Sequence, residues 1–453
     1  MRRLLLSTIL LLSGCVAAPP QGEVTARAVT FSGNLPPMKA FSGSAVTRPT
    51  RPNSQIARDF LDLSFQLESG RQLPVLSRFE GPITITVRGN APRALSADLD
   101  RLLSRLRIEG GIDIRRSDTA TASITLQIIP KAQLQSLVPH AACFVAPNVS
   151  DWREYRALRN RPETDWTRMT TRTKMAVFMP GDVSPQEMRD CLHEEIAQAL
   201  GPVNDLYRLN DSVFNDDNFH TILTGFDMLV LRAYYAPELA SGMNRQQVTA
   251  QLPAILSRLN PGGGTGQPAP ATVSPVAWKA AIESALGGRN TVNQRRQAAI
   301  RAVAIARANG WYDTRLALSL FAQGRLHLGV DSDVALTSFQ QAESVYRTLP
   351  GSELQAANMG VQLAAHALSG GRASEALNIV NTHIAPVMSA ENAALLSTLL
   401  MIKAEALGLL GRDTEAQLVR LDSLGWARYG FGSEAEVGAR MSEIAAIANH
   451  GRN

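Results

Sequence analysis

The chain has few cysteines, few aromatic residues and no long apolar run beyond its N-terminus. Its 453 residues include three cysteines, and aromatic side chains make up 6% of the composition. No later apolar stretch approaches the roughly 20 residues that a membrane-spanning helix needs, so we expect the rest of the chain to be water-soluble. The net charge of +5 is small, and the basic residues are scattered. This distribution argues against a nucleic-acid partner.

The N-terminus has the pattern of a secretory signal peptide. Arg2 and Arg3 precede an apolar run at 4–12, which is too short to span a bilayer. The next residues, Leu12-Ser13-Gly14-Cys15, resemble the bacterial lipobox. The resemblance implies cleavage before Cys15 and acylation of that cysteine, which would then hold the protein to a membrane.

Under this interpretation, residues 1–15 form a lipoprotein signal peptide. The lipid on Cys15 would make the membrane a partner of the protein. Val16 would be the second mature residue, and by analogy with known sorting rules it favours the outer membrane over the inner membrane. We therefore expect a bacterial outer-membrane lipoprotein that faces the periplasm. An ordinary secretory peptide with an incidental cysteine is the alternative.

Composition divides the remaining chain into four parts. Residues 16–52 are rich in Pro, Ser, Thr, Gly and Ala, which predicts a flexible tether. A Pro- and Gly-rich stretch marks a linker at 244–274. The linker separates a domain of mixed helices and strands at 53–243 from an Ala- and Leu-rich helical domain at 275–453.

Periodicity predicts an α+β domain with a mixed sheet in the order β-α-β-β-β-β-α. Alternating β-branched residues at 83–88 indicate a strand, and apolar residues at helical spacing in 95–106 indicate a helix. We also predict a first amphipathic helix at 54–68 and strands at 112–114, 123–129, 143–146 and 174–179.

The last helix of this series has clear start and stop signals. Ser184 is a suitable N-cap, Pro185 occupies the first helical position, and Glu187 completes a capping box. The apolar pattern continues to Leu200, and Gly201 ends it.

This helix and its turn resemble the H-E-x-x-H-x-x-G-x-x-H motif of the metzincin zinc proteases. In that motif the residues at i and i+4 share a helix face and bind zinc, and a glycine turn returns a third ligand. Here Glu194, Gln198 and Asn204 stand at the three ligand positions. Glu195 stands at the position of the catalytic Glu, and Gly201 matches the turn glycine.

Downstream segments extend the resemblance over about 53–243. Residues 212–216 resemble the metzincin Met-turn, with Phe214 in place of Met, and 224–235 resemble the closing helix. The domain is also similar to a family of proteobacterial lipoproteins, domain of unknown function 2927. That family shares the Cys-x-x-Glu-Glu start, the Phe-Asn-Asp segment and the ending found at 235–243.

The ligand positions predict a site without zinc. Zinc prefers His nitrogen and Cys sulfur, which the donors here do not supply. Glu194, Gln198, Asn204 and Asp205 instead predict an oxygen-rich binding cluster, which could also be a hydrogen-bonded network in place of a lost zinc. We expect no metal and no cofactor, although hard cations accept oxygen donors and a divalent cation stays open.

Glu195 is the candidate catalytic residue, as a general base. His193 lies one residue before the first ligand position, and in its frame the second ligand would be Ala197, which has no donor. We therefore expect His193 to be a flanking residue.

The metzincin resemblance also implies a disulfide. It places Cys143 on the fourth strand, at the edge of the sheet, and Cys191 on the site helix. An oxidising periplasm permits the two to pair, and the bridge would hold the edge strand to the helix. Two separate buried thiols are the alternative.

The helical part resembles tetratricopeptide (TPR) repeats. Three similar turns contain Gly329, Gly371 and Gly411, about 40 residues apart where the usual repeat has about 34. Small residues before each turn permit close packing of paired helices, and stacked pairs offer a concave binding face. A plain helical bundle is the alternative.

These features predict a lipid-anchored cell-envelope protein, more an interaction protein than an enzyme. It would combine a metzincin-like domain deficient in zinc ligands with a helical-repeat module that binds another envelope protein. The alternative is a divergent periplasmic metallopeptidase or hydrolase that uses Glu195 as general base.

Overall fold

The computed structural model describes residues 35–43, 47–49, 51–119, 121–139, 141–264, 266, 273–288 and 290–450. The predicted signal peptide and Cys15 lie outside these residues. None of the described helices combines the length and the apolarity that crossing a bilayer requires.

The first part of the chain, residues 53–264, is called the sheet domain below. It folds around a five-stranded sheet in the order β2-β1-β3-β5-β4. Neighbouring strands are parallel except β4, which runs antiparallel to β5 at the edge. Each predicted strand is confirmed within two residues at either end. The strands are β1 (Ile83–Arg88), β2 (Ile114–Arg116), β3 (Ile124–Ile129), β4 (Phe144–Pro147) and β5 (Met175–Pro180).

Seven helices surround this sheet in the described part of 53–264. They are α1 (Asn53–Ser64), α2 (Arg93–Ile108), α3 (Lys131–Gln135), α4 (Trp152–Leu158), α5 (Pro185–Leu200), α6 (Gly225–Tyr234) and α7 (Arg245–Leu259). The predicted apolar face of α2 is confirmed, because its leucines at 95, 99, 102, 103 and 106 are all buried. The short helices α3 and α4 were not predicted.

The central strands are covered on both faces, which explains the wholly apolar sequence of β5. Successive side chains of a strand point to opposite faces. Val177 accordingly lies in the large core with α2 and α5, whereas Ala176 and Phe178 lie in a smaller core with Leu134 and Trp152. Burial on both faces is typical of the central strands of a largely parallel sheet.

Part of the predicted linker belongs to the folded domain. Within 244–274, Asn244 and Gln247 form a capping box at the start of α7. This helix packs against α1 and buries its apolar residues Val248, Leu252, Ile255 and Leu256. The predicted linker is therefore too long. The prediction was based on the low-complexity residues after 260 and overlooked the capping box before them.

Part of the predicted tether is also packed. Residues 35–43 lie against the helical part, where Phe41 is buried and stacks on Trp426 with 4.5 Å between ring centroids. The prediction that 16–52 forms a flexible tether is wrong for 35–43. The composition of the segment predicted a flexible chain, but burial of the single aromatic residue Phe41 removes apolar area from water and favours packing.

The second part is entirely helical in the described residues 273–288 and 290–450. Its nine helices are α8 (Val276–Leu286), α9 (Val292–Ala308), α10 (Thr314–His327), α11 (Ser332–Thr348), α12 (Glu353–Ser369), α13 (Ala373–Ser389), α14 (Ala393–Leu409), α15 (Asp413–Gly430) and α16 (Glu434–His450). Successive helices from α8 to α16 pack against one another. The expected order, an α+β domain followed by an all-helical region, is confirmed.

The two parts are in contact through the N-terminal half of α5. Arg189 is almost fully buried, and its Nη1 lies 3.2 Å from Oε2 of Glu391 in the turn between α13 and α14. In the same turn, Nε2 of Gln186 donates to Oδ1 of Asn392 at 3.1 Å. The helix that carries the candidate site is thus held by the helical part at its N-terminal end.

Candidate functional site

Both ends of α5 are held by polar contacts that the sequence partly predicted. Ser184 Oγ accepts from the backbone N–H of Glu187 at 3.1 Å, as expected for the N-cap. The carboxylate of Glu187 instead pairs with Lys131. At the C-terminal end, the buried guanidinium of Arg172 donates to the carbonyl of Ala199 at 2.8 Å and also to that of Gln198. Arg172 thereby satisfies carbonyls that a helix end leaves unpaired.

The structure brings together only two of the four residues of the predicted binding cluster. The charge of Glu194 is among the causes that raise the pKa of Asp205, so these two side chains lie near each other. Asn204 is turned to α1, where its Nδ2 donates to the carbonyl of Asp62 at 2.9 Å. Gln198 is half-buried, and its backbone carbonyl accepts from Arg172.

Two carboxylates that the motif did not predict join Asp205. One carboxylate oxygen from each of Glu68, Asp205 and Asp216 lies within 4.8 Å of the other two. Asp205 is buried, whereas Glu68 and Asp216 are exposed. We call these three residues together with Glu194 the acidic cluster. Asp216 lies in the segment that resembles the Met-turn, but no sequence pattern marked Glu68, which follows the end of α1.

Burial and mutual repulsion raise the pKa values of the cluster. Burial, followed by the charges of Asp216 and Glu68, raises the pKa of Glu194 to about 7. Asp216 keeps part of its side chain exposed, yet desolvation and the Glu68 charge raise its pKa to about 6. Burial and the charges of Glu68, Glu194 and Asp216 hold the pKa of Asp205 well above its usual value. Carboxyl groups perturbed in this way often mark functional sites.

Glu195, the candidate general base, is buried next to Glu194 on α5. Its side chain is 4% exposed, and its Oε2 has no hydrogen-bond partner among the described residues. Burial, and then the charges of Glu194 and Glu68, raise its pKa well above the usual value, while the nearby backbone N–H of Val145 on β4 opposes the shift. Glu195 is thus close to the cluster but almost inaccessible to solvent.

The segment 212–216 holds Asp216 in place. Oδ2 of Asp227, in the first turn of α6, accepts from the backbone N–H of Val213 at 3.1 Å, and Ser212 donates to the same carboxylate. The side chain of Phe214 is fully buried beneath the segment. Thr224 and Asp227 form a capping box at the start of α6.

His193 is directed away from the acidic cluster. Its Nδ1 accepts from the backbone N–H of Leu223 at 3.0 Å, and its ring is 5% exposed. Burial, together with nearby arginines, lowers its pKa well below the usual value, so the ring is neutral. This placement agrees with the expectation that His193 flanks the site.

Cys143 and Cys191 form a disulfide, with 5.9 Å between their Cα atoms. The bond joins the residue before β4 to α5, as the metzincin resemblance implied. It therefore holds the edge of the sheet against the helix that carries Glu194 and Glu195.

The acidic cluster borders the helical part. Tyr207 is buried beside the cluster, where burial and then the charge of Asp216 raise the pKa of its hydroxyl. The Tyr207 ring meets that of Trp278 on α8 edge to face, with 5.0 Å between centroids. Lys279, also on α8, favours the charged form of Asp216. Asp216 is thus connected to α8 both through Tyr207 and through charge.

Residues 53–254 match the family described as protein of unknown function (DUF2927). The match supports the expected assignment of this part of the chain to that family and extends into α7. No curated protein and no solved structure matches the chain significantly.

Proposed function

We propose that the protein is a non-catalytic, lipid-anchored component of the cell envelope. In this proposal its first domain is a metzincin-like domain that has lost its zinc ligands, and its helical part is a TPR-like module that binds another envelope protein. The observation that carries the proposal is where the structure places the three residues at the ligand positions. Glu194 faces other carboxylates, Asn204 donates its amide to Asp62, and no described contact joins Gln198 to either.

The topology of the sheet supports metzincin kinship. β4 is the antiparallel edge strand, which is the position that the resemblance assigned to the strand near Cys143. The disulfide to α5 then joins the two elements that the resemblance places on either side of the site. Lipid attachment at Cys15 and an outer-membrane location depend on the sequence pattern of the first 16 residues.

The turns of the helical part support the TPR-like assignment. Gly329, Gly371 and Gly411 all have positive φ angles, between 71° and 74°. They lie in the turns from α10 to α11, α12 to α13 and α14 to α15, so each falls within one helix pair. Glycine adopts this conformation without steric cost, which explains its recurrence at equivalent turns.

A groove in the helical part is the surface we propose for the partner. It lies between α9, α10 and α11, has a volume of about 430 Å³, and is lined by both apolar and polar side chains. Ile300, Leu320 and Thr337 contribute to its lining. A groove of mixed character between repeated helices is suited to a peptide segment of a protein partner.

In-cell photocrosslinking tests this proposal. A photoreactive amino acid at Thr337 of the full chain should give one discrete adduct with an envelope protein, because this exposed position lines the groove. The same amino acid at Glu163, an exposed position on the sheet domain, is the matched control and should give none. Absence of an adduct from Thr337, or the same adduct from both positions, would contradict the assigned surface.

A divergent hydrolase that uses Glu195 as general base is the second candidate. It is favoured by the unpartnered Oε2 of Glu195, whose raised pKa suits proton transfer. The burial of Glu195 disfavours it, because a general base must reach water or substrate. Assay of the full chain on a panel of peptides and peptidoglycan fragments distinguishes the candidates: we expect no turnover, whereas turnover abolished by Glu195→Gln would establish the hydrolase.

A further inference from the structure

We infer that Glu68, Asp205 and Asp216 bind one calcium ion, with Glu194 as a neighbouring fourth carboxylate. The site would lie between the sheet domain and α8. This inference goes beyond the proposed function, which requires no metal. The site differs from the binding cluster that the metzincin motif predicted, because Glu68 and Asp216 lie outside α5 and the turn that follows it.

The spacing of the three oxygens fits one cation. Ca²⁺ binds oxygen ligands at about 2.3–2.6 Å, so two oxygens on one ion lie at most about 5 Å apart. The carboxylate oxygens of Glu68, Asp205 and Asp216 all lie within 4.8 Å of one another. A single ion can therefore contact all three after small side-chain adjustments.

An unpartnered buried oxygen provides a second, independent indication of a ligand. Asp205 is 4% exposed, and its Oδ1 has no hydrogen-bond partner among the described residues. Leaving a buried carboxyl oxygen without a partner is costly. A cation among the three carboxylates would supply that partner and would offset their mutual repulsion.

The donor chemistry favours calcium over zinc. The donors that converge here are carboxylate oxygens, which hard cations prefer, whereas zinc favours nitrogen and sulfur. Calcium takes six to eight oxygens in flexible geometry, and magnesium demands a nearly ideal octahedron at shorter distances. The exposed sides of Glu68 and Asp216 leave room for water to complete the coordination of a calcium ion.

Binding at this site would also stabilise the contact with α8. The Tyr207 hydroxyl lies near the charge of Asp216, and its ring packs edge to face on that of Trp278, so an ion that orders Asp216 should also restrict the start of the helical part. The bound state should therefore be more resistant to unfolding than the free state.

Calcium binding to the full chain in detergent, after treatment with chelator, tests the inference. Equilibrium dialysis with radioactive calcium should give about one ion per chain. Addition of about 1 mM CaCl₂ should raise the unfolding temperature by at least about 3 °C, since a ligand specific for the native state stabilises it by mass action. Asp216→Asn, at an exposed ligand, should lose both effects, whereas Asp118→Asn, at an exposed aspartate of the sheet domain, should keep both.

Each of the following outcomes supports or contradicts the assignment of a calcium site. Loss of binding in Asp216→Asn and in Asp205→Asn, with retention in Asp118→Asn, supports it. Absence of binding by the unmodified chain overturns it, as does undiminished binding in Asp216→Asn. A response to ZnCl₂ or MgCl₂ without a response to CaCl₂ overturns the choice of calcium. The photocrosslink from Thr337 does not depend on any of these results, so the two proposals fail separately.

Discussion

The two parts of the molecule bury very different residues. The sheet domain encloses charged side chains such as Arg172, Arg189, Glu195 and Asp205, all under 5% exposed. Helices α12 and α14 instead bury mainly Ala, Leu and Met. Small apolar residues determine how closely helices pack, whereas buried charges require specific partners. Packing in the sheet domain therefore depends more on specific polar partners, whereas packing of α12 and α14 depends more on close contact between small apolar side chains.

The largest expected effect comes from the buried ion pair between the two parts. Arg189→Met should lower the free energy of unfolding by about 3–5 kcal/mol, because it removes a buried cation that pairs with the carboxylate of Glu391. Chemical denaturation measures the change. Arg372→Met removes an exposed pair with Glu375 and should cost less than about 1 kcal/mol. If the two substitutions lowered the free energy of unfolding equally, burial would not determine how much these ion pairs contribute to stability.

A smaller effect tests the packing of the helical part. A Cβ added at Gly324 on α10 would lie 2.7 Å from the ring of Phe339 on α11, so Gly324→Ala should cost about 1–3 kcal/mol by overpacking. Gly408→Ala on α14 is the matched control, because a Cβ there meets no atom within 4 Å. It should be neutral or slightly stabilising, since alanine favours helix. Thermal unfolding of both variants compares them, and a stable Gly324→Ala would mean that helix spacing does not depend on this glycine.

The smallest expected effect is a pH dependence that comes from the sheet domain. The pKa of Glu194 is about 7 in the folded chain, against 4.5 for an ordinary Glu, so the folded state binds the proton more tightly. Stability should therefore increase as the pH falls through about 7 toward 4.5. Buried neutral His193 opposes this trend below about pH 6.5, because the unfolded chain then binds the proton.

Denaturation in the presence of chelator at about pH 8 and pH 6.5 measures the trend, and the contribution of His193 is shared by the two proteins compared. The gain in stability on acidification should be about 1 kcal/mol smaller in Glu194→Gln than in the unmodified chain. An identical gain in both would show that Glu194 does not contribute to the pH dependence.

Local patterns predicted most of the sheet domain. Alternating or continuously apolar stretches located the five strands, and Ser184, Pro185 and Gly201 defined the bounds of α5 because capping depends on neighbouring residues. Composition misled at 35–43 and 245–259, because a low-complexity context hid Phe41 and the capping box at Asn244. The short helices α3 and α4 carry too few residues to show a period.

The candidate site was predicted only in part. The motif located Glu194, Glu195 and Asp205, since they lie on one helix and the turn after it. It did not find Glu68, which is far away in sequence and has no pattern of its own. It also grouped Asn204 with the others, although the structure turns this side chain to Asp62.

The sequence by itself determined the five strands, α2, α5 and their order, because these features depend on residues close together in the chain. The tertiary structure alone decided which carboxylates meet. Glu68, Asp205 and Asp216 come together because α1, the turn after α5 and the segment before α6 pack side by side. Desolvation and repulsion between charges depend on distance in space, and spacing in the sequence does not encode that distance.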